Sequence, residues 1–410
     1  MKQINFFYDS IKLNRKWYLN IDSTPKSGTE YAISRLAIEL SKYFLVNFFC
    51  TKLPFDKYYK NIKFKKISSF ENICNYIDND SYLISNYTRE NIYSNVILSK
   101  NIKKIRHIIW LHNTPDFETF IKLGNSPNVF KFITVSDTQR INLSHLKFFN
   151  KIITIPHFVS FKFKKKKIYK IQKQILFIGS LTKSKGFHLL TEVWPAIHKK
   201  HPEWKLKVLG SVHLYSNLLK KDPIIKNYEA SFLKNIGGSY TKAKNIGIIF
   251  EGLVNRKKIF SEILKSQFII VNPNINGSFE TFCISAAQGL ILGRPILGGN
   301  KGSLPEIVNG GGLLHSSKIK FINNILNLIN NRKLSLKLGK IGKKNFNKNF
   351  TEKKIINKWI LLLSNKEIKN YFQLKIYYIK YMEFLLRSII RFFFSYNLTR
   401  IIIKIKSFFK

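Results

Sequence analysis

The stretch FIIVNPNINGSFETFCISAAQGLILGRPIL, residues 268–297, holds a complete unit of architecture. Phe268 to Val271 is a short apolar run without alternation, the pattern of a strand buried on both faces. NPNINGSFE follows as a loop of turn formers, since Asn, Pro and Gly each favour chain reversal. TFCISAAQGL reads as a helix, and Thr281, Ser285, Ala286, Ala287 and Gly289 give it little bulk, so it can approach a sheet or a ligand closely. Pro295 to Leu297 then returns as a strand. Strand, helix, strand in this order predicts a parallel sheet wrapped by helices.

The same alternation runs from the amino terminus to about residue 310. Candidate strands are Asn5 to Tyr8, Leu45 to Cys50, His107 to Leu111, Phe132 to Val135 and Ile152 to Ile155. A second series begins after FKFKKKKIYK, residues 161–170, which reads as a linker: Ile175 to Ile178, Leu206 to Leu209, Gly247 to Phe250, Phe268 to Val271 and Pro295 to Leu297. The expected fold class is α/β with two Rossmann-like domains facing across a cleft. The first covers 1–165 and the second 171–350; a C-terminal helix over 351–365, capped by Thr351, and a basic tail over 366–410 complete the chain. Open sheets of this kind bind ligands at the carboxyl ends of their strands, so chemistry is expected in the loops that follow them.

Composition agrees with two cores. The 410 residues exceed what one core usually organises, and 45% are hydrophobic. Lys and Arg number 70 against 23 Asp and Glu, a formal charge of +47. Such a charge fits phosphate-rich partners, but Lys, Asn and Ile are enriched together along the whole length, as a biased base composition would produce, so only organised charge is informative. Cys50, Cys74 and Cys283 share no metal-ligand spacing, and a reduced, cytoplasmic compartment is expected. MKQINFFYDS reads as a first buried strand, and no 18-residue apolar run predicts a spanning helix.

Three loops could hold a phosphorylated ligand. In PKSGTEYAISRLAIELSK, residues 25–42, Gly28 precedes a helix start and would let backbone amides approach an anion. The same residues also read as an ordinary capped amphipathic helix. In ILFIGSLTKSKGFHLL, residues 175–190, Lys183 and Lys185 occupy a strand-to-helix turn, where they either pair with a diphosphate or stand in solvent. Neither the Walker spacing nor a G-x-G-x-x-G fingerprint is present. In the opening stretch, Glu280 is expected where the helix amides begin, aimed at hydroxyl groups in the cleft, leaving the amides of Phe282 and Cys283 for a phosphate oxygen. Asp78-Asn79-Asp80 has the D-x-D form of a cation site, but its polar setting NYIDNDSYL is that of a turn.

In this order the motifs resemble those of the GT-B glycosyltransferases, in particular the retaining family 4. They are S-G-T-E at Gly28, I-I-W-L-H ending at His112, I-T-V-S at 133–136 and I-P-H-F-V at 155–159. F-I-G-S-L-T-K-S-K-G at 177–186, F-E-G-L-V at 250–254, E-T-F-C-I-S-A-A-Q-G-L-I-L-G-R-P from Glu280 to Pro295 and G-S-L-P-E at 302–306 follow. The resemblance spans about residues 1–365 and implies a nucleotide-sugar donor with no metal or other cofactor required. On that basis Lys185 meets the diphosphate with the Gly28 loop opposite, and Gly252, Leu253 and Val254 lie near the base. Thr281, Phe282 and Cys283 line the donor site, Glu280 binds hydroxyls of the transferred sugar, and His112 contacts that sugar. Two positions depart from the family. Ser180 stands where it carries Arg, with Lys183 as the expected substitute, and Gln288 stands where it carries the Glu that holds the ribose.

The tail suggests a partner. From Lys366 to Lys410 there are ten Lys or Arg and two Glu among aromatic and aliphatic residues. Lys380, Glu383, Arg387 and Arg391 form a polar stripe beside Met382, Leu385, Leu386, Ile389 and Phe393, the pattern of a helix lying on an anionic membrane surface or packing on protein. The expected function is transfer of a sugar from a nucleotide-sugar to a saccharide or lipid-linked acceptor in surface glycan biosynthesis, such as lipopolysaccharide or capsule, at the cytoplasmic face of the membrane. The rivals are an inactive membrane-tethered scaffold of the same fold and a nucleic-acid-binding protein. Against the latter, the basic residues are dispersed and the aromatic residues form no stacking motif.

Overall fold

The computed structural model describes residues 2–10, 17–20, 27–68, 70–86, 105–159, 169–212, 223–277 and 279–365. The tail 366–410, with its expected membrane helix, lies outside them, as does most of the basic linker.

Two all-parallel sheets organise the chain. The first holds β1 (Gln3–Tyr8), β2 (Leu45–Cys50), β3 (Ile62–Lys66), β4 (Tyr82–Asn86), β5 (Arg106–Leu111), β6 (Val129–Thr134) and β7 (Ile152–Thr154), in the order β3-β2-β1-β4-β5-β6-β7. The second holds β8 (Gln174–Ile178), β9 (Lys205–Leu209), β10 (Ile248–Gly252), β11 (Phe268–Val271), β12 (Ile296–Gly299) and β13 (Gly312–His315), in the order β10-β9-β8-β11-β12-β13. Central strands such as β8 and β11 are buried along their full length, which is why they read as unbroken apolar runs. Each sheet reverses its winding once, where β1 lies beside β4 and β8 beside β11. Ligand crevices form at such reversals.

Every predicted strand is present with ends within three residues of those expected, the largest difference being β6, which starts at Val129 rather than Phe132, and three more exist. β3, IKFKK, is an edge strand with a mostly solvated basic face, so it lacks the apolar run of a buried strand. β4, YLISN, is fully buried but ends on Ser85 and Asn86, which read as loop residues. β13 follows a run of glycines at the opposite edge of the second sheet.

The final described helix, Glu352–Leu363, returns to the first domain. Trp359 is fully buried, with its ring centroid 5.1 Å from that of Trp110 in β5. Arg35 binds Glu352 at 2.6 Å, and Lys2 donates to the Leu363 carbonyl at 3.1 Å. A buried aromatic side chain contributes on the order of 3 kcal/mol, so this helix ties the two domains together. No helix among the described residues is long and apolar enough to cross a membrane.

Candidate active site

The turn after β8 carries Lys185, and the loop after β11 carries Glu280. Because β8 and β11 are hydrogen-bonded neighbours, two residues separated by 95 positions meet: Lys185 Nζ donates to Glu280 Oε2 at 2.5 Å. Asn272, directly after β11, donates through Nδ2 to the same oxygen at 2.9 Å. Its φ of 40° lies in the left-handed region, which Asn tolerates better than most residues. Glu280 is thus a buried carboxylate, 7% exposed, held by one cation and one amide.

Two glycines make this packing possible. Gly186 caps the Phe187–Lys200 helix at φ 74°, and a Cβ there would lie 2.5 Å from the Asn274 amide nitrogen. Gly302, at φ 55°, belongs to the loop after β12 that folds over Glu280; its Cβ would lie 2.4 Å from the Glu280 carbonyl oxygen. The next amide, of Ser303, donates to that carbonyl at 2.8 Å.

The helix behind Glu280 starts later than the sequence predicts. It spans Ile284–Ile291 with Cys283 as its N-cap, so Glu280 precedes the helix and its carboxylate is bound by side chains rather than helix amides. The reason is Thr281, whose hydroxyl donates to the His112 carbonyl at 2.6 Å and draws Thr281 toward the first domain. The helix amino terminus then faces Gly28, where a Cβ would stand 3.2 Å from Ile284 Cδ1. Burial, with the Glu280 charge adding to it, pushes the Cys283 thiol up to about 12, so it is no nucleophile near neutral pH.

A cavity of about 520 Å³ opens between the sheets. Gly28 and His112 line it from the first domain; Ser180, Lys185, Gly252, Leu253, Val254, Glu280, Thr281, Phe282, Cys283 and Gln288 line it from the second. Lys183 does not join them. Its side chain is exposed, and its carbonyl accepts from Asn274 Nδ2 at 2.8 Å, so it does not fill the place left by Ser180. His112 lines the cavity, but its ring is already engaged. Nε2 meets Asn86 Oδ1 at 2.8 Å, and Nδ1 meets His157 Nε2 at 3.2 Å in a stacked pair. Burial first, then proximity to His157, holds the His112 pKa well below the ordinary range, so the ring is neutral. Asp78 to Asp80 forms a turn, with Asp80 at φ 60°.

The structure adds residues that the sequence did not single out. Asn272 and His157 line the cavity, and Asn86 supports His112 from behind. Arg256 also lines it, with its guanidinium carbon 5.2 Å from the ring centroid of Tyr31 across the cleft. Lys301, beside Gly302, buries its ammonium; burial brings its pKa down to about 8, with Glu280 opposing and Lys185 adding to the shift.

Residues 159–345 match the family model of glycosyl transferases, group 1. A stretch of 121 residues is 31% identical to an uncharacterized glycosyltransferase of Haemophilus influenzae, covering 28% of this chain and 34% of that one, so the match spans about a third of the relative. Sucrose-phosphate synthase from Thermosynechococcus elongatus superimposes with a TM-score of 0.67 at 13% identity, over 89% of this chain and 99% of that one. HepE of Anabaena, solved with UDP and glucose, superimposes with a TM-score of 0.66 at 12% identity, over 89% of this chain and 100% of that one. Residues 159–345 thus match the group 1 glycosyltransferase model, within a chain of the two-domain GT-B fold.

Proposed function

We propose that the chain transfers a sugar from a nucleotide-sugar donor, held in the cleft, to a saccharide or lipid-linked acceptor. The observation that carries this reading is the Lys185–Glu280 pair at the β8–β11 reversal, facing the Gly28 loop across the cavity. Breaking a glycosyl–phosphate bond develops negative charge on the departing diphosphate and positive charge on the sugar ring. Lys185 and the amides at the Ile284 helix start supply fixed positive charge for the leaving group. Glu280 accepts hydrogen bonds from sugar hydroxyls and orients the reacting carbon. Gln288, 7% exposed and lining the cavity, offers an amide oxygen to the ribose. The neutral His112, fixed by Asn86 and His157, presents an uncharged wall beside the developing cation, and its backbone is anchored by Thr281.

HepE was solved with UDP-glucose, which supports a uridine diphosphate sugar as the first donor to try. Membership of family 4, retention of configuration, and a role in surface glycan assembly at the inner membrane face belong to the same reading and rest on the motif resemblance and the basic tail. The absence of a cation at Ser180 and of a carboxylate at Gln288 favours a second reading, a silent scaffold. Donor turnover separates the two. On the first reading, release of labelled sugar from one member of a nucleotide-sugar panel falls at least about 100-fold in Glu280→Ala and survives removal of 366–410. No turnover of any donor by the unsubstituted protein leaves the scaffold reading standing.

A further inference from the structure

Lys301 is anomalous. Its ammonium is buried and has no hydrogen-bond partner among the described residues. It lies in a small space bounded by backbone and amide groups: a Cβ placed on Gly277 would be 2.8 Å from Lys301 Nζ, 2.8 Å from Asn274 Nδ2 and 2.3 Å from the Ser184 carbonyl oxygen. Ser184 adjoins Lys185, and the loop carrying Lys301 continues through Gly302 and Ser303 onto the backbone of Glu280. The ammonium therefore lies in the loop neighbourhood of Lys185 and Glu280, and both charges bear on it.

A buried charge without a hydrogen-bond partner is costly, so a role in another state of the protein would account for its presence. The chemistry of the site supplies such a state. Without donor, Lys185 neutralises Glu280. A bound diphosphate competes for the same ammonium, and Glu280, buried and retaining only the Asn272 amide, would then lose its counter-charge while it has to remain an acceptor for sugar hydroxyls.

We propose that Lys301 is a positioning residue that becomes the counter-charge of Glu280 when Lys185 turns to the diphosphate, so that the carboxylate stays correctly aimed at the donated sugar. The inference rests on the donor reading of the cleft. It gives the buried ammonium a role in one ligand state only, so its removal affects recognition of the sugar and not of the diphosphate.

The test compares the unsubstituted protein with Lys301→Met and Lys301→Arg by calorimetric titration. The probes are UDP, GDP and ADP and the glucose ester of each, and the diphosphate that the unsubstituted protein binds is carried forward. Lys301→Met is expected to bind that diphosphate unchanged and its glucose ester at least about tenfold more weakly. Lys301→Arg should recover most of the loss. Without ligand, Lys301→Met should melt no lower than the parent, because it removes an unpaired buried charge. Equal affinity for the sugar ester, an equal loss for both ligands, or a lowered melting temperature overturns the proposal. If the unsubstituted protein binds none of the probes, the donor reading itself falls.

Discussion

Thr281 and His112 join the two domains: the threonine hydroxyl donates to the histidine carbonyl at 2.6 Å from the residue next to Glu280. Later in the second domain, the Glu306 carboxylate accepts from the Asp137 and Thr138 amides at 3.0 and 2.9 Å and from the Thr138 hydroxyl at 2.7 Å. The cleft is thus spanned by directional bonds that fix where Glu280 stands relative to the first domain.

Replacing Thr281 by Val keeps the shape and removes the donor. The His112 carbonyl is left buried without that partner, a loss of about 1–3 kcal/mol. Urea unfolding should show the lowered midpoint, and donor affinity should fall with it because Glu280 loses its adjacent anchor. A midpoint unchanged from the parent would mean the bond contributes nothing to holding the cleft.

Gly302→Ala is expected to be more damaging to function than its size implies. A left-handed backbone costs a non-glycine residue about 1–2 kcal/mol, and the new methyl would press on the Glu280 backbone. The expected result is a modest drop in melting temperature with a large loss of donor binding. Wild-type binding in this variant would show that the loop does not set the position of Glu280.

Acid stability should follow Glu262, which is fully buried in the second domain. Burial works to raise its pKa, but hydrogen bonds from Lys207 and Lys265, the Lys207 charge and Gln174 together bring it to about 2. The folded value lies below the ordinary glutamate value of about 4.5, so between the two the unfolded chain binds more protons. The stabilisation is fully present above about pH 4.5 and is lost as pH falls toward 2. Glu262→Ala should cost about 1–3 kcal/mol at neutral pH, since it removes the buried hydrogen bonds to Lys207, Lys265 and Gln174 and leaves Lys207 with Glu251 as a counter-charge, and should flatten the acid limb of a melting-temperature profile. A profile in the variant parallel to that of the parent would locate the acid sensitivity elsewhere.

Much of this site is legible in the sequence because its residues follow apolar runs. Lys185 and Glu280 each stand just beyond a recognisable strand, and the order of strands and helices gives the two parallel sheets. Their mutual contact is not legible, since it depends on β8 lying beside β11, a pairing of strands distant in sequence. Missing β4 entails missing Asn86, and with it the reason the His112 ring is occupied. Lys301 escapes notice because one lysine among 70 basic residues carries no signal until its burial is seen. For the same reason Lys183 looks equivalent to Lys185 in sequence, although only Lys185 reaches the cavity. The amphipathic pattern after Thr351 predicts a helix, but the pattern does not say that Trp359 will seat against Trp110 in the other domain.

The most direct test of the donor site is a crystal structure with an intact nucleotide-sugar selected by binding. The diphosphate is expected within hydrogen-bonding distance of Lys185 Nζ, a sugar hydroxyl on the Glu280 carboxylate, and the base against Gly252 to Val254. A nucleotide-sugar bound outside the cleft, or bound within it with Lys185 and Glu280 still paired only to each other, would contradict this placement.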